Sequence, residues 1–323
     1  MSYAIRIHAT GGPEVLRWEP VEVPKPGPGE VLVRNTAVGL NFVDTYQRSG
    51  LYPMALPATI GREGAGVVEA VGRKVKEFKP GDRVAYVDPS GSYAEILLRP
   101  AARLVKIPAG VSDKTAAAMM LKGMTAQFLL RRTYKVKKGD TILLHAAAGG
   151  VGQILCQWAK YLGAKVIGTV GSDAKVPLAK KAGCKYVLIT SRDKVSERVK
   201  EITKGAGVPV VYDGVGKDTF MDSLDCLAPL GLMVTYGNAS GPVPPLSPIL
   251  LMQEGSLFLT RPTLANYIAR REDLVRSARG LFAVVKKGAV KIAVNQTYPL
   301  REAAQAHRDL ESRKTTGSTI LLP

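Results

Sequence analysis

Cysteine, histidine and long apolar runs are scarce in this sequence, and each shortage excludes something. The three cysteines, Cys156, Cys184 and Cys226, are far apart and odd in number, so they form neither a disulfide framework nor a CxxC pair for zinc or thiol exchange. The three histidines, His8, His145 and His307, are also widely separated and do not suggest a ligand set. No apolar run approaches the roughly 18 residues that suggest a membrane span. The opening segment MSYAIRIHATGG has no apolar signal core. These absences predict a cytosolic chain kept in a reducing compartment.

Acid is also in short supply. The chain has 45 Lys+Arg against 27 Asp+Glu, a net charge of +18, which favours phosphorylated ligands, anionic surfaces or nucleic acid through its long-range field. The basic residues are spread out. The densest stretches are RRTYKVKK at 131–138 and the segment 175–185, and neither is an uninterrupted polybasic tail. Hydrophobic residues at 46% and charged residues at 22% are ordinary globular values, and 323 residues suffice for two domains with separate cores.

What is present is a change of texture along the chain. From Tyr3 to about Lys122, short alternating apolar segments such as EVLVRNTAVGL and GAGVVEAVG are separated by Gly and Pro turns, as in a β-rich domain. A helical pattern over 115–130 follows. Strands, glycine turns and helices then alternate: strands at 138–145, 164–170, 186–189, 208–212 and 231–236, with helices at 151–162, 194–204 and 219–227 between them. That alternation is what a parallel doubly wound sheet requires. Near Arg261-Pro262 the pattern shifts again, to helices over 271–287 and 300–312 and strands at 295–298 and 317–322. The predicted fold class is α/β, with domain boundaries at 1–122 (completed by 263–323) and 123–262, and a cleft between the lobes.

The most informative local signal is AAAGGVG at 146–152, between a strand ending at His145 and a helix beginning near Val151. Small residues let the backbone approach a pyrophosphate there, and the helix N-terminus favours its charge. The spelling is not GxGxxG; the strand-turn-helix context carries the reading. An acid at the tip of the next strand would hold the ribose hydroxyls of NAD. Here that tip is Gly171-Ser172, with Lys175 three residues on, which suits a 2′-phosphate and hence NADPH. Asp173 argues against this from one residue away, and Lys175 could equally be a solvated lysine at a helix start.

The chain resembles the quinone oxidoreductase, zeta-crystallin-like branch of the medium-chain dehydrogenases/reductases along essentially its whole length. The motifs that carry the resemblance are GGPEVL (11–16), VGLNFVDTYQRSGLYP (38–53), GREGAGVVEAVG (61–72), GDRV (81–84), LKGMTA (121–126), HAAAGGVG (145–152), YGNASG (236–241), LTRP (259–262) and ESRKTTGS (311–318). The resemblance implies a GroES-like β-barrel catalytic domain, a Rossmann domain, NADPH lying in the cleft and a homodimer. It further implies that Asn41, Phe42, Val43, Asp44 and Thr45 line the nicotinamide side and that Gly150 and Val151 hold the pyrophosphate. Gly171, Ser172 and Lys175 take the adenosine phosphate, and Tyr236, Gly237, Asn238 and Ala239 the ribose and nicotinamide. Leu259, Thr260 and Arg261 with Arg313 supply the remaining contacts. Phe128, Thr190 and Gly214 occupy cofactor positions where relatives often carry Tyr, Tyr and Ser.

Related alcohol dehydrogenases hold a catalytic zinc with Cys and His ligands. Here Arg62 occupies the histidine position of the GHE-type signature, Asn41 occupies the first cysteine position, and the four-cysteine lobe is missing, so no metal is expected. Without a Lewis acid the acceptor must take hydride readily, as a quinone does. The protein's share is positioning and exclusion of water. Asn41, Tyr46 and Tyr52 are the candidates for orienting the acceptor. The two tyrosines could instead pack the barrel rim, and Asp44 reads better as a turn-fixing residue than as a base. An alkenal or enone reductase differs only in the acceptor pocket. RNA binding, which occurs among zeta-crystallin-like relatives, accords with the charge but has no motif of interleaved basic and aromatic residues here.

Overall fold

The computed structural model describes residues 1–323, which divide into two compact units. One comprises Met1–Met124, Ile268–Lys286 and Ile292–Pro323; the other comprises Thr125–Tyr267 and Lys287–Lys291.

The first unit begins with strands β1 (Ser2–Ile7), β2 (Arg17–Val21) and β3 (Glu30–Leu40), then helix α1 (Phe42–Ser49). Strands β4 (Ala58–Thr59), β5 (Glu63–Val71), β6 (Arg83–Val87), β7 (Ile96–Pro100) and β8 (Leu104–Lys106) follow, then helix α2 (Asp113–Ala117) and α3 (Met120–Phe128), whose residues from Thr125 on belong to the second unit. Strand β3 shows why this is a sheet: Val31, Val33, Asn35 and Ala37 are buried in alternation, the period of a strand with one covered face. From Ala37 onward both faces are covered.

The single helix expected over 115–130 is divided. Helix α2 ends at Ala117, and α3 starts afresh where the buried Glu63 carboxylate accepts the backbone N–H of Leu121 at 2.6 Å. A carboxylate placed against an orphan amide in a first helical turn stabilises a new N-terminus.

In the second unit, strands β9 (Thr141–Leu144), β10 (Lys165–Val170), β11 (Tyr186–Ile189), β12 (Val208–Asp213), β13 (Leu227–Thr235) and β14 (Phe258–Thr260) form one parallel sheet in the order β11-β10-β9-β12-β13-β14. Helices α4 (Gly150–Tyr161), α5 (Val176–Lys181), α6 (Val195–Thr203), α7 (Phe220–Asp225), α8 (Pro248–Gln253) and α9 (Leu264–Tyr267) belong to the same unit. Numbered from β9, the strand order is 3-2-1-4-5-6, the doubly wound Rossmann arrangement, which binds ligands at the carboxyl ends where the order reverses. Ile142, Leu143 and Leu144 are all fully buried, as expected of a central parallel strand covered on both faces.

The chain then returns to the first unit through α10 (Arg271–Lys286), β15 (Val294–Pro299), α11 (Ala303–Glu311) and β16 (Ser318–Leu322). Strand β16 joins β15 to β3, completing a seven-stranded sheet with β7 as a branch. Helix α10 buries Leu274, Ser277, Ala278, Leu281 and Phe282, a stripe at 3–4 residue spacing. Leu281 fills the space that a side chain at Gly123 would need.

Candidate active site

In the first unit, Asn41 is the N-cap of α1 in extended conformation. The Asp44 carboxylate reaches back to accept the Asn41 backbone N–H at 2.8 Å, the return half of a capping box. The Asn41 side-chain amide donates at 2.9 Å to Glu63 Oε1, which also accepts from Lys122 Nζ at 2.7 Å. Glu63, Lys122 and Asn41 are all buried. The glutamate therefore fixes the amide of Asn41 while the ammonium balances its charge, and both Glu63 oxygens are satisfied, as a buried ion requires.

A second buried chain starts at Asp44 Oδ2, which accepts from the Tyr93 hydroxyl at 3.0 Å. Tyr93 lies 3.1 Å from His307 Nε2, and Arg48 Nη1 lies 3.1 Å from His307 Nδ1. Arg48 in turn makes a two-bond pair with Glu311 at 2.9 and 2.7 Å. A guanidinium only donates, so His307 Nδ1 is the acceptor and Nε2 carries the hydrogen. Tyr93 then accepts from His307 and donates to Asp44. Burial first, and then the Arg48 charge, push the His307 pKa down to about 3, so the ring is neutral, as this tautomer requires. Burial pushes Asp44 up to about 7, against the lowering effect of its bonds to Asn41 and Tyr93. Asp44 Oδ1 is buried without a hydrogen-bond partner.

Tyr46 is buried, with its ring edge-on to Tyr52 at 5.3 Å and tilted on Phe42 at 6.4 Å. Thr45 Oγ1 donates to the Phe42 carbonyl, and Val43 is half-buried. Arg62 donates from Nε to the Asp88 carbonyl at 3.2 Å. The side chains at the zinc-ligand positions are thus an amide already bonded to a carboxylate and a guanidinium, with the Lys122 ammonium on that same carboxylate. This donor set does not fit a zinc ion, which takes thiolate, imidazole or carboxylate lone pairs.

In the second unit, Ala146 adopts φ +56° and accepts the Gly149 N–H at 2.9 Å, closing the turn before α4. A Cβ at Gly152 would lie 2.3 Å from the Ala146 carbonyl oxygen, so glycine there allows the first turn of α4 to seat against the strand. Gly150 and Val151 open a twelve-residue helix whose first amides have no intrahelical acceptor. This cradle fits a pyrophosphate. Gly171 and Ser172 are exposed at the end of β10, and nothing lies within 4 Å of where a Gly171 side chain would start. Lys175 closes the short turn after them.

Asp173 is exposed and ion-paired with Arg192 at 3.4 Å. Arg192 sits just beyond β11, whose Ile189 is in register with Val170 of β10. Sequence reasoning missed Arg192; the available signal was a cation three residues past a predicted strand end. Thr190 also lies at this edge, with its N–H donating to the Val170 carbonyl at 2.9 Å.

The departures at 214 and 128 have steric settings. A side chain at Gly214 would start 2.9 Å from the Tyr236 ring, and one at Gly237 would start 2.3 Å from the Gly214 carbonyl. The loop after β12 is set by Asp213, which accepts from Val215 N, Gly216 N and Thr219 Oγ1. Asn238 accepts the Gly241 N–H, and the exposed Ala239 donates to the Gly214 carbonyl at 3.3 Å. Phe128 is fully buried and stacked on Tyr267 at 4.3 Å. Leu259 and Thr260 lie on β14, paired with Met233 and Val234, and Arg261 is exposed just after it. Arg313 belongs to the other unit, exposed at φ +60° after α11.

His145, at the end of β9, bonds Thr169 Oγ1 at 3.1 Å and Ser223 Oγ at 2.9 Å, and burial lowers its pKa. It forms part of the wall of a cavity of about 290 Å³ with Thr190, Asp193, Lys194, Asp218 and Thr219.

Residues 27–109 match a family described as alcohol dehydrogenase GroES-like domain, and residues 150–279 one described as zinc-binding dehydrogenase. The class is therefore that of the medium-chain dehydrogenases. The chain is 53% identical to a quinone oxidoreductase of Pseudomonas aeruginosa, with 100% of both chains covered. It is 47% identical to a 2-haloacrylate reductase of a Burkholderia species, covering 100% of this chain and 99% of the relative. Among solved structures, the Escherichia coli quinone oxidoreductase complexed with NADPH superposes with a TM-score of 0.98 at 48% identity, covering 99% of this chain and 100% of that one. The chain belongs to the quinone oxidoreductase family.

Proposed function

We propose that this protein is an NADPH-dependent quinone reductase that works without a metal. The observation that carries the reading is the open glycine turn at the start of α4 beside an acid-free strand tip, Gly171-Ser172. NADPH, when bound, supplies the hydride. Gly150 and Val151 offer backbone amides to its pyrophosphate, while Lys175 and Arg192 offer charge to the 2′-phosphate. Tyr236, Gly237, Asn238 and Ala239 line its ribose and nicotinamide, with Leu259, Thr260, Arg261 and Arg313 as further contacts. Asn41, Phe42, Val43, Asp44 and Thr45 form the nicotinamide side in the first unit.

The acceptor end rests on Asn41. Its backbone is fixed by Asp44 and its amide by Glu63 and Lys122, so the group that meets the acceptor is preorganised. Tyr46 and Tyr52 supply apolar walls with polar tips. A quinone needs little further help, because two-electron reduction makes its ring aromatic and water can protonate the product oxygens. In parallel assays with NADPH, 1,4-benzoquinone and 1,2-naphthoquinone should turn over much faster than an enone or 2-chloroacrylate. Turnover of only the enone or the haloacrylate would reverse the choice of acceptor.

No helix is long and apolar enough to cross a membrane. Three cysteines without disulfides support a reducing, cytoplasmic setting. The outer edge of β14, with Phe258 and nearby Leu230 and Met252 more than half exposed, suits a second copy of this chain, because an open apolar strand edge invites pairing. Sedimentation equilibrium should give twice the chain mass; a monomer at micromolar concentration would refute the dimer.

A further inference from the structure

The catalytic reading leaves the cysteines unused, yet two of them are not isolated. Cys156, in the second turn of α4, and Cys184, just ahead of β11, place their sulfurs 3.3 Å apart inside the second unit. The contact is supported on both sides. A side chain at Gly183, next to Cys184, would start 2.7 Å from the Lys160 stem, one helical turn beyond Cys156 on α4. A side chain at Gly168 of β10 would start 2.5 Å from the Cys184 sulfur and 2.8 Å from the Ala147 methyl. The Cys184 thiol and the glycine turn therefore press on the same point of the sheet. Cys226 is set apart, donating its thiol to the Asp222 carbonyl at 3.0 Å.

We propose that Cys156 and Cys184 form an oxidation site, converted by hydroperoxides to a disulfide that weakens the grip of the α4 turn on the dinucleotide. Cys184 reacts first because it retains slight exposure, 7% against none for Cys156. Its thiolate attacks one peroxide oxygen, the O–O bond breaks, and hydroxide leaves and is protonated to water, giving a sulfenic acid at Cys184. The Cys156 sulfur then attacks the Cys184 sulfur, the S–O bond breaks, and the hydroxyl departs as a second water. The two thiols lose two electrons and two protons in total, and one peroxide accepts them. The same carbonyl chemistry offers a second oxidant class, since a quinone that accepts two electrons and two protons from the thiols becomes a hydroquinone. The hydroperoxide route is the one proposed because Cys184 is only 7% exposed, which favours the smaller oxidant over a quinone ring.

The disulfide draws the sulfurs to about 2.05 Å, more than 1 Å closer than their present contact. Cys156 lies six residues into the helix whose first residues, Gly150 and Val151, form the phosphate cradle, and Cys184 backs the Gly168–Ala147 contact beneath the same turn. The displacement therefore falls on the two supports of that cradle. This consequence rests on the NADPH reading above, whereas formation of the disulfide does not.

The test is to treat the purified full-length protein with hydrogen peroxide, then to denature it, block free thiols and measure intact mass, with NADPH affinity followed in parallel by calorimetry. The expected result is a loss of about 2 Da before blocking, one blockable thiol in place of three, a cross-linked peptide joining Cys156 to Cys184, and an NADPH Kd raised roughly fivefold or more. Dithiothreitol should reverse all of these changes. Cys226→Ala should behave like the parent chain, and Cys156→Ala should not lose the mass. Addition of oxygen without cross-linking, or a disulfide that leaves the Kd unchanged, overturns the proposal. If the reduced protein does not bind NADPH, the cofactor reading fails, and the mass result still decides the thiol chemistry on its own.

Discussion

The two units, as read in the proposal above, are built from different materials. The second unit uses backbone: a turn of small residues, the first amides of α4, and a strand tip left open at Gly171. The first uses buried ionisable side chains, with Glu63 and Asp44 wholly inaccessible and His307 likewise enclosed. A backbone cradle is cheap to bury because its polar groups meet the ligand itself, and it fails mainly through steric intrusion. A buried ionic network holds its groups more tightly, but removal of one member leaves another as an unpaired charge. The two regions should therefore break in different ways.

The sharpest contrast comes from Glu63→Gln. It leaves the buried Lys122 ammonium without a counter-charge, facing the Leu40 carbonyl at 3.0 Å and at most one neutral amide oxygen, at a cost of about 3–5 kcal/mol. It also turns an NH2 toward either the Leu121 N–H or the Asn41 amide, so that the hold on Asn41 weakens. Urea denaturation should show that loss, and kcat for a quinone should fall more than NADPH affinity. A variant as stable as the parent would mean that Glu63 and Lys122 do not form the working ion pair. In the second unit, Gly152→Ala drives a methyl into the Ala146 carbonyl, a backbone atom that cannot turn aside. It should cost about 2–3 kcal/mol and should abolish measurable NADPH binding even where the fold survives. Binding that persists would remove the turn from the cofactor site.

Asp44 distinguishes the network by pH. Its folded pKa, about 7, is above the unfolded carboxylate value, so between about pH 4 and 7 the folded state holds a proton that the unfolded state has released. Stability from this group is complete below that window, falls as pH rises through it, and is level above. Asp44→Asn cannot titrate, so the variant should gain on the parent by on the order of 2 kcal/mol between pH 5 and pH 8, read as the difference in urea midpoints. Parallel curves for the two proteins would show that Asp44 is ionised throughout.

The contrast in materials also explains what the sequence disclosed. The glycine turn before α4 lies within seven consecutive residues, 146–152, and its strand and helix neighbours are adjacent in the chain, so the pattern alone exposes the turn. The network joins residues 41, 44, 48, 63, 93, 122, 307 and 311 across most of the chain. No spacing rule links Tyr93 to His307 or Glu63 to Lys122. Asp44 was legible only as a turn-fixing residue and Asn41 only through the family resemblance; the unread signal for Lys122 is that it is one lysine in the otherwise apolar stretch 116–124, where a charge needs a buried partner. The doubly wound sheet was legible because parallel strands read as continuous apolar runs. The break between α2 and α3 was not, because it depends on the Glu63 carboxylate reaching the Leu121 amide from another strand.

The finest division runs through the proposed 2′-phosphate site, where both candidates are exposed or partly exposed cations rather than backbone or a buried network. Lys175→Glu reverses a charge beside the open strand tip and should raise KM for NADPH by roughly 1–3 kcal/mol while leaving KM for NADH nearly unchanged. Arg192→Ala should do the same more weakly, by roughly 0.5–1 kcal/mol, because the side chain is exposed and shares its charge with Asp173 and Asp193. Removing Arg192 also releases Asp173 to repel the phosphate, so Asp173→Asn added to Arg192→Ala should recover part of the loss. All of these effects should shrink as salt rises from 0.05 to 0.5 M, since the screening length falls from about 14 Å to about 4 Å over that range. An equal penalty on NADPH and NADH, or one indifferent to salt, would place both residues outside the phosphate pocket and leave the amides of α4 as the whole of the second unit's hold on the nucleotide.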